Sequence, residues 1–176
     1  AMKWSFTIAR IAGTWVQLHV TFLFFIIFIF GQFYLTKGLS ESIQVTLFLL
    51  SVFLCVLLHE FGHVVAGLRY GITTPTITLL PFGGLASMTR IPRKPGEELM
   101  VALAGPAVNL AIAVILILIQ GGLPDWKGLN PINQPPILEA LIGVNLVLLI
   151  FNLIPAFPMD GGRVFRALLS YFMPRQ

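Results

Sequence analysis

Four long stretches of this chain, apolar enough for helices in a membrane, contain no Asp, Glu, Lys or Arg: residues 11–36, 42–58, 99–124 and 140–159. A bilayer core is about 30 Å thick, and about 20 apolar residues in helix cross it. Backbone groups in lipid must satisfy one another, which makes helix the default for such stretches. Each can hold one transmembrane helix, expected near 17–36, 44–69, 97–120 and 137–154, the second running on through His59 towards Leu68. Composition agrees: 57% of the residues are hydrophobic and 10% charged, against about 25% charged in a soluble domain. Polar groups this scarce could not cover a globular surface. The 11 Lys and Arg are too dispersed for a nucleic-acid footprint, so no nucleic-acid partner is expected. A single cysteine, Cys55, excludes an intramolecular disulfide framework and a Cys-rich zinc module. The first apolar run is too long, and too well followed by others, for a cleaved signal peptide. Met2-Lys3 reads as a natural start, with Ala1 a cloning remnant.

The basic residues orient the spans. Lys3 and Arg10 precede the first span, Arg69, Arg90, Arg93 and Lys94 lie between the second and third, and Arg163, Arg166 and Arg175 follow the fourth. Lys37 and Lys127 fall on the opposite side. Lys and Arg accumulate on the cytoplasmic side. A multi-pass protein of the cell membrane is expected, with both termini and the 70–96 segment in the cytoplasm. Residues 121–136, rich in Gly, Pro and Asn, make an external loop that cannot be helical throughout. Residues 72–91 alternate Thr with Ile and Leu, turn through Pro81-Phe82-Gly83-Gly84, and resume. That pattern predicts a β-hairpin with strands near 75–80 and 85–90, apolar enough to lie in the interface or dip into the bilayer. The expected fold is an all-α polytopic membrane protein of about four transmembrane helices. It forms one domain over residues 1–176, with a membrane-associated hairpin near 75–90.

The chemistry sits inside the second span, in His59-Glu60-Phe61-Gly62-His63. Positions i and i+4 are neighbours on one helix face, so both imidazoles can reach one metal ion. Glu60, about 100° round from His59, flanks that face and can bind the metal's water instead of the metal. Two His ligands with a nearby Glu base is the logic of zinc hydrolases. In a soluble helix such a run can be ordinary surface. Some fifteen residues into an apolar helix it is costly without partners, and ionisable groups within a membrane default to function.

Zinc needs a third protein ligand. Asp160, at the cytoplasmic end of the fourth span, is the other ionisable residue at matching depth. It follows Asn152 through Pro155 and Pro158, which lack N–H groups and disfavour helix before them. The span is therefore expected to unwind after Asn152 into an extended stretch, with Gly161-Gly162 letting the chain turn closely past the metal. Zn²⁺ with Asp160 and Glu60 sums to zero charge, which a low-dielectric site favours. The alternative for Asp160 is a helix-ending Pro-Asp-Gly turn at the interface.

Together His59-Glu60-Phe61-Gly62-His63, the Gly83-Gly84 hairpin, Ala104-Gly105-Pro106-Ala107-Val108-Asn109, and the run from Asn152 to Gly162 resemble the site-2 protease family of intramembrane zinc metalloproteases, over residues 13–166. The resemblance implies cleavage of membrane-embedded proteins, often transcription-factor precursors or anti-sigma factors, with one Zn²⁺ ion as cofactor. Carried onto this sequence, it makes His59, His63 and Asp160 the ligands and Glu60 the base. Asn152 would assist substrate binding or the oxyanion. The physics allows these roles. A helical peptide bond must unwind to be cut, and a hairpin edge can hold the extended segment by β-augmentation. The Asn152 amide can donate towards an oxyanion, or else satisfy unwound backbone carbonyls. The ion is expected in the cytoplasmic half of the bilayer. Many relatives add further spans or a cytoplasmic regulatory module. A minimal chain would leave regulation to other subunits, a truncated core to the missing part. The rival from another class is a metal transporter or metal-sensing membrane protein using the same ligands without hydrolysis.

Lesser candidates have simpler roles. Cys55, four residues before His59, is a packing residue before it is a thiolate ligand. His19 either lines the cleft or makes an interfacial hydrogen bond. Asn109 follows Gly105-Pro106, where small residues let helices approach, and supports packing. Phe22, Phe24, Phe25, Phe28 and Phe30 form a lipid-facing surface; Arg163 and Arg166 are interface anchors.

Overall fold

Twelve residues into the chain, Ala12 and Gly13 adopt φ of 51° and 82°. Positive φ at two successive residues makes the tight turn whose twist suits a two-residue hairpin. It joins β1 (Ser5–Ile11) to an antiparallel β2 (Thr14–His19). The computed structural model describes residues 4–90, 92, 94–124, 136–156 and 158–172. Most of the expected 121–136 loop lies outside them, as do Lys3, Arg93, Lys127, Phe157 and Arg175. The chain divides into two units, Ala1–Pro92 and Arg93–Gln176.

In the first unit β2 runs directly into α1 (Val20–Lys37). Gly38, at φ 89°, separates α1 from the 30-residue α2 (Leu39–Leu68). Phe22 of α1 meets Phe53 of α2 edge-on, with ring centroids 4.4 Å apart. Beyond α2 come β3 (Thr76–Leu80) and β4 (Gly83–Ser87), an antiparallel hairpin. β2 pairs in parallel with β3, giving one four-stranded sheet in the order β1-β2-β3-β4. Ile77 and Leu79 of the central β3 are buried, as is Val16 of β2.

This sheet corrects the all-α expectation. The hairpin at 75–90 is present, with its second strand starting two residues earlier than expected, but it is half of a larger sheet. The charge-free run from residue 11 concealed β2. Its Thr-Trp-Val-Gln-Leu-His sequence buries Thr14, Val16 and Gln17 and leaves Trp15 exposed beneath the Arg10 guanidinium, 4.9 Å from the ring. The first helix therefore starts at Val20, not near residue 17.

The second unit is helical among its described residues: α3 (Pro95–Gln120), α4 (Ile137–Leu153) and α5 (Asp160–Phe172). Pro95 suits a helix start, where its missing N–H costs nothing, and Glu97 and Glu98 complement the N-terminal dipole. Gly121, at φ 83°, caps the far end. There Gln120 Nε2 donates to Glu139 Oε1 of α4 at 3.3 Å.

By length and composition α1, α2 and α3 can cross a membrane, while α4 is apolar but has 17 residues. The fourth span rests on that shorter helix. Phe24, Ile27 and Phe28 of α1 and Leu118 and Ile119 of α3 stand exposed, as lipid-facing residues do. Phe22 does not belong with them: it is 4% exposed, because it packs on α2.

Candidate metal centre

The buried residues of α2 beyond its middle are Phe53, Cys55, His59, His63, Val64 and Gly67. A stripe of this kind is what a long helix shows where one face turns inward. It carries both imidazoles inward, at 6% and 3% exposure. Their rings lie at 83° to one another and their Nε2 atoms are 3.1 Å apart. Two nitrogens bound to tetrahedral zinc at about 2.0–2.1 Å lie about 3.3 Å apart. The pair therefore fits that ion to within a few tenths of an ångström, without a change of rotamer.

Glu60, between them in sequence, has a neighbour of its own. Its side chain lies against the backbone of Gly84 in β4: a Cβ built at Gly84 would stand 2.8 Å from Glu60 Cγ and 3.2 Å from Oε1. β4 can come this close to α2 because residue 84 has no side chain. The hairpin is thus drawn up to the one acid of the His-Glu-x-x-His run. The Gly-Gly signal was legible in the sequence; its partner was not.

Asp160 and Asn152 belong to the second unit. α4 ends at Leu153, and Ile154 is extended at φ −59° and ψ 129°, as Pro155 requires of its neighbour. The segment then turns tightly: Ala156 N donates to Ile154 O at 2.7 Å, Met159 N to Ala156 O at 2.9 Å, and Gly162 N to Met159 O at 3.1 Å. Asp160 opens α5, where the sequence suggested the end of an extended stretch. Its carboxylate is buried, at 8% exposure, with Arg163 Nη1 at 3.9 Å from Oδ1. Gly161 has a more definite task than a turn. A Cβ there would fall on the backbone carbonyls of Leu153 and Ile154, so glycine lets α5 abut the end of α4. Asn152 Nδ2 donates to Leu148 O at 3.0 Å, within α4.

The remaining candidates resolve plainly. His19 caps α1: its Nδ1 accepts from Thr21 N at 3.4 Å and lies 2.8 Å from Thr21 Oγ1. Cys55 is buried one turn before His59, and Asn109 is wholly buried in α3. Arg163 stands beside Asp160 and Arg166 is bonded to Glu98. Neither is simply an interface anchor.

The model of peptidase family M50 matches residues 47–125 and 129–175, a region that takes in His59, Glu60, His63, Asn152 and Asp160. This chain belongs to peptidase family M50, the site-2 protease family. A zinc metalloprotease of Methanocaldococcus jannaschii is 40% identical over 169 residues, covering 96% of this chain and 47% of that protein. A putative zinc metalloprotease of Synechocystis is 38% identical over 120 residues, covering 68% of this chain and 30% of the other. Stage IV sporulation protein FB of Bacillus subtilis is 32% identical over 129 residues, covering 73% and 42%. The chain thus spans less than half the length of these relatives. Among solved structures, the site-2 protease from Methanocaldococcus jannaschii matches with a TM-score of 0.69 and 37% identity, over 96% of this chain and 73% of that one.

Proposed function

We propose that this M50 chain is a zinc-dependent intramembrane endopeptidase that cleaves transmembrane protein substrates, as in regulated intramembrane proteolysis. One zinc ion is held by His59, His63 and Asp160, Glu60 is the general base, and Asn152 assists the oxyanion. The observation that carries this reading is the 3.1 Å approach of the His59 and His63 Nε2 atoms, in a family of metallopeptidases. Two neutral imidazoles and a carboxylate are also the donor set of catalytic zinc sites that keep a position open for water.

When bound, zinc supplies Lewis-acid chemistry, bringing the pKa of a coordinated water to about 7. Glu60 accepts a proton as water adds to the scissile carbonyl carbon. It returns that proton to the leaving nitrogen as the C–N bond breaks, so one water is consumed per peptide bond. The Asn152 amide has two N–H donors; one serves Leu148, and the other is the one offered to the developing oxyanion. The substrate lies along β4, a sheet edge, whereas β3 is paired on both sides. An extended segment added there runs past Gly84 and so past Glu60. Both termini and the site face the cytoplasm.

The test is cleavage of a reconstituted transmembrane substrate by wild-type and Glu60→Gln chains. Glu60→Gln should bind zinc as wild type does and lose about 10²–10⁴-fold in rate. Retained hydrolysis refutes the mechanism. Zinc flux into proteoliposomes that survives this substitution supports a transporter instead.

A further inference from the structure

Asp160 is the first residue of α5, and the opposite unit of charge chemistry in the same helix lies six residues on. Arg166 donates through Nε to Glu98 Oε1 at 2.8 Å, and through Nη2 to the same oxygen. The Glu98 side chain has no exposure at all, while that of Arg166 is half-exposed. Glu98 stands in the first turn of α3, 68 residues away in sequence. A second contact joins the same two elements. The Tyr171 hydroxyl sits 2.9 Å from where a Cβ of Gly96 would be, so glycine at position 96 admits the tyrosine. At its other end α5 is seated through Gly161 on the last carbonyls of α4.

We infer that the Glu98–Arg166 pair is a latch that sets the rotation and axial position of α5, and through it the Asp160 carboxylate as a metal ligand. The inference rests on the zinc reading above. A guanidinium fork is directional where an apolar contact is not, and a buried carboxylate cannot trade its partner for water. The fixed, buried Glu98 oxygen therefore sets where the Arg166 guanidinium sits when the contact is made. With Gly161 fixed against α4, that place determines where residue 160 points. Arg166 and Glu98 are positioning residues: they act on the ion through the backbone of α5 and touch neither substrate nor the reacting atoms.

The test is zinc affinity of the purified full chain, measured by competition with a chromophoric chelator, alongside the visible spectrum of the cobalt-loaded form. Removing a group bonded directly to a metal ligand costs about 10–100-fold in affinity; a pair that acts through the helix backbone should cost about tenfold, the lower end of that range. Glu98→Gln and Arg166→Gln should each weaken zinc binding by about that factor and alter the cobalt bands. The double variant Glu98→Leu with Arg166→Leu removes the buried charge together with its partner. It leaves no buried charge stripped of its Arg166–Glu98 contact, guards against a loss that comes from a weakened fold, and should show the same loss. Arg166→Lys keeps the charge without the fork and should restore only part of the affinity. Folded variants with wild-type affinity and an unchanged cobalt spectrum overturn the latch, even with a lowered melting temperature, because that is what a merely structural pair would give. A wild-type chain that takes up no zinc overturns the metal reading and the latch together. Zinc held by wild type and by every latch variant alike overturns the latch alone.

Discussion

A methyl group added to Gly84 would collide with the Glu60 side chain at Cγ, so the carboxylate proposed as the base would have to shift. Gly84→Ala should therefore lower cleavage by up to about 10²-fold, the loss that a misplacement of about 1 Å can bring, while zinc content stays near wild type. Metal analysis beside a cleavage assay checks this; full activity would show that the contact is idle. Asn152→Ala separates two roles. If the amide serves the oxyanion as well as Leu148, turnover should fall by about 10²–10³, far beyond what the accompanying modest drop in melting temperature accounts for. If it serves only the Leu148 carbonyl, stability moves and turnover does not. At this scale the His-Glu-x-x-His run was legible because helical spacing alone puts residues 59 and 63 on one face. Glu98 with Arg166, and Glu60 with Gly84, were not legible. Those contacts join distant parts of the chain, and no local periodicity encodes them.

Helices α1, α2 and α3 announced themselves through unbroken apolar length, and the 76–87 hairpin through alternation and a Gly-Gly turn. β1 and β2 are hard to read from the sequence because the uncharged residues from 11 onward merge with the span that follows. The signal was present in the alternation of Thr14 to His19 and in Ala12-Gly13, but a charge-based division of the chain ignores both. The break between α4 and α5 followed from Pro155 and Pro158. The reason for glycine at 161 did not, since it depends on where α4 ends. Gly161→Ala forces a Cβ onto two backbone carbonyls, which no rotamer change relieves. Overpacking of this kind costs about 1–3 kcal/mol. The expected outcome is a lower thermal midpoint in detergent together with weaker zinc binding. A midpoint equal to wild type would contradict the described junction.

Across the whole molecule, apolar surface and basic residues make a topological claim that can be tested. In a Cys55→Ala background, a cysteine at Gly38 should label only from outside the cell and one at Tyr70 only from the cytoplasm, as an impermeant maleimide would reveal. Labelling of both from one side would contradict α2 as a span. The central claim is the metal centre. X-ray absorption at the zinc edge of the purified chain addresses it most directly. The expected result is one zinc per chain with two imidazole nitrogens and oxygen ligands at about 2.0–2.2 Å, and no zinc after His59→Ala or Asp160→Ala. A sulfur ligand at about 2.3 Å, which would bring in Cys55, or full zinc occupancy in Asp160→Ala, would contradict it.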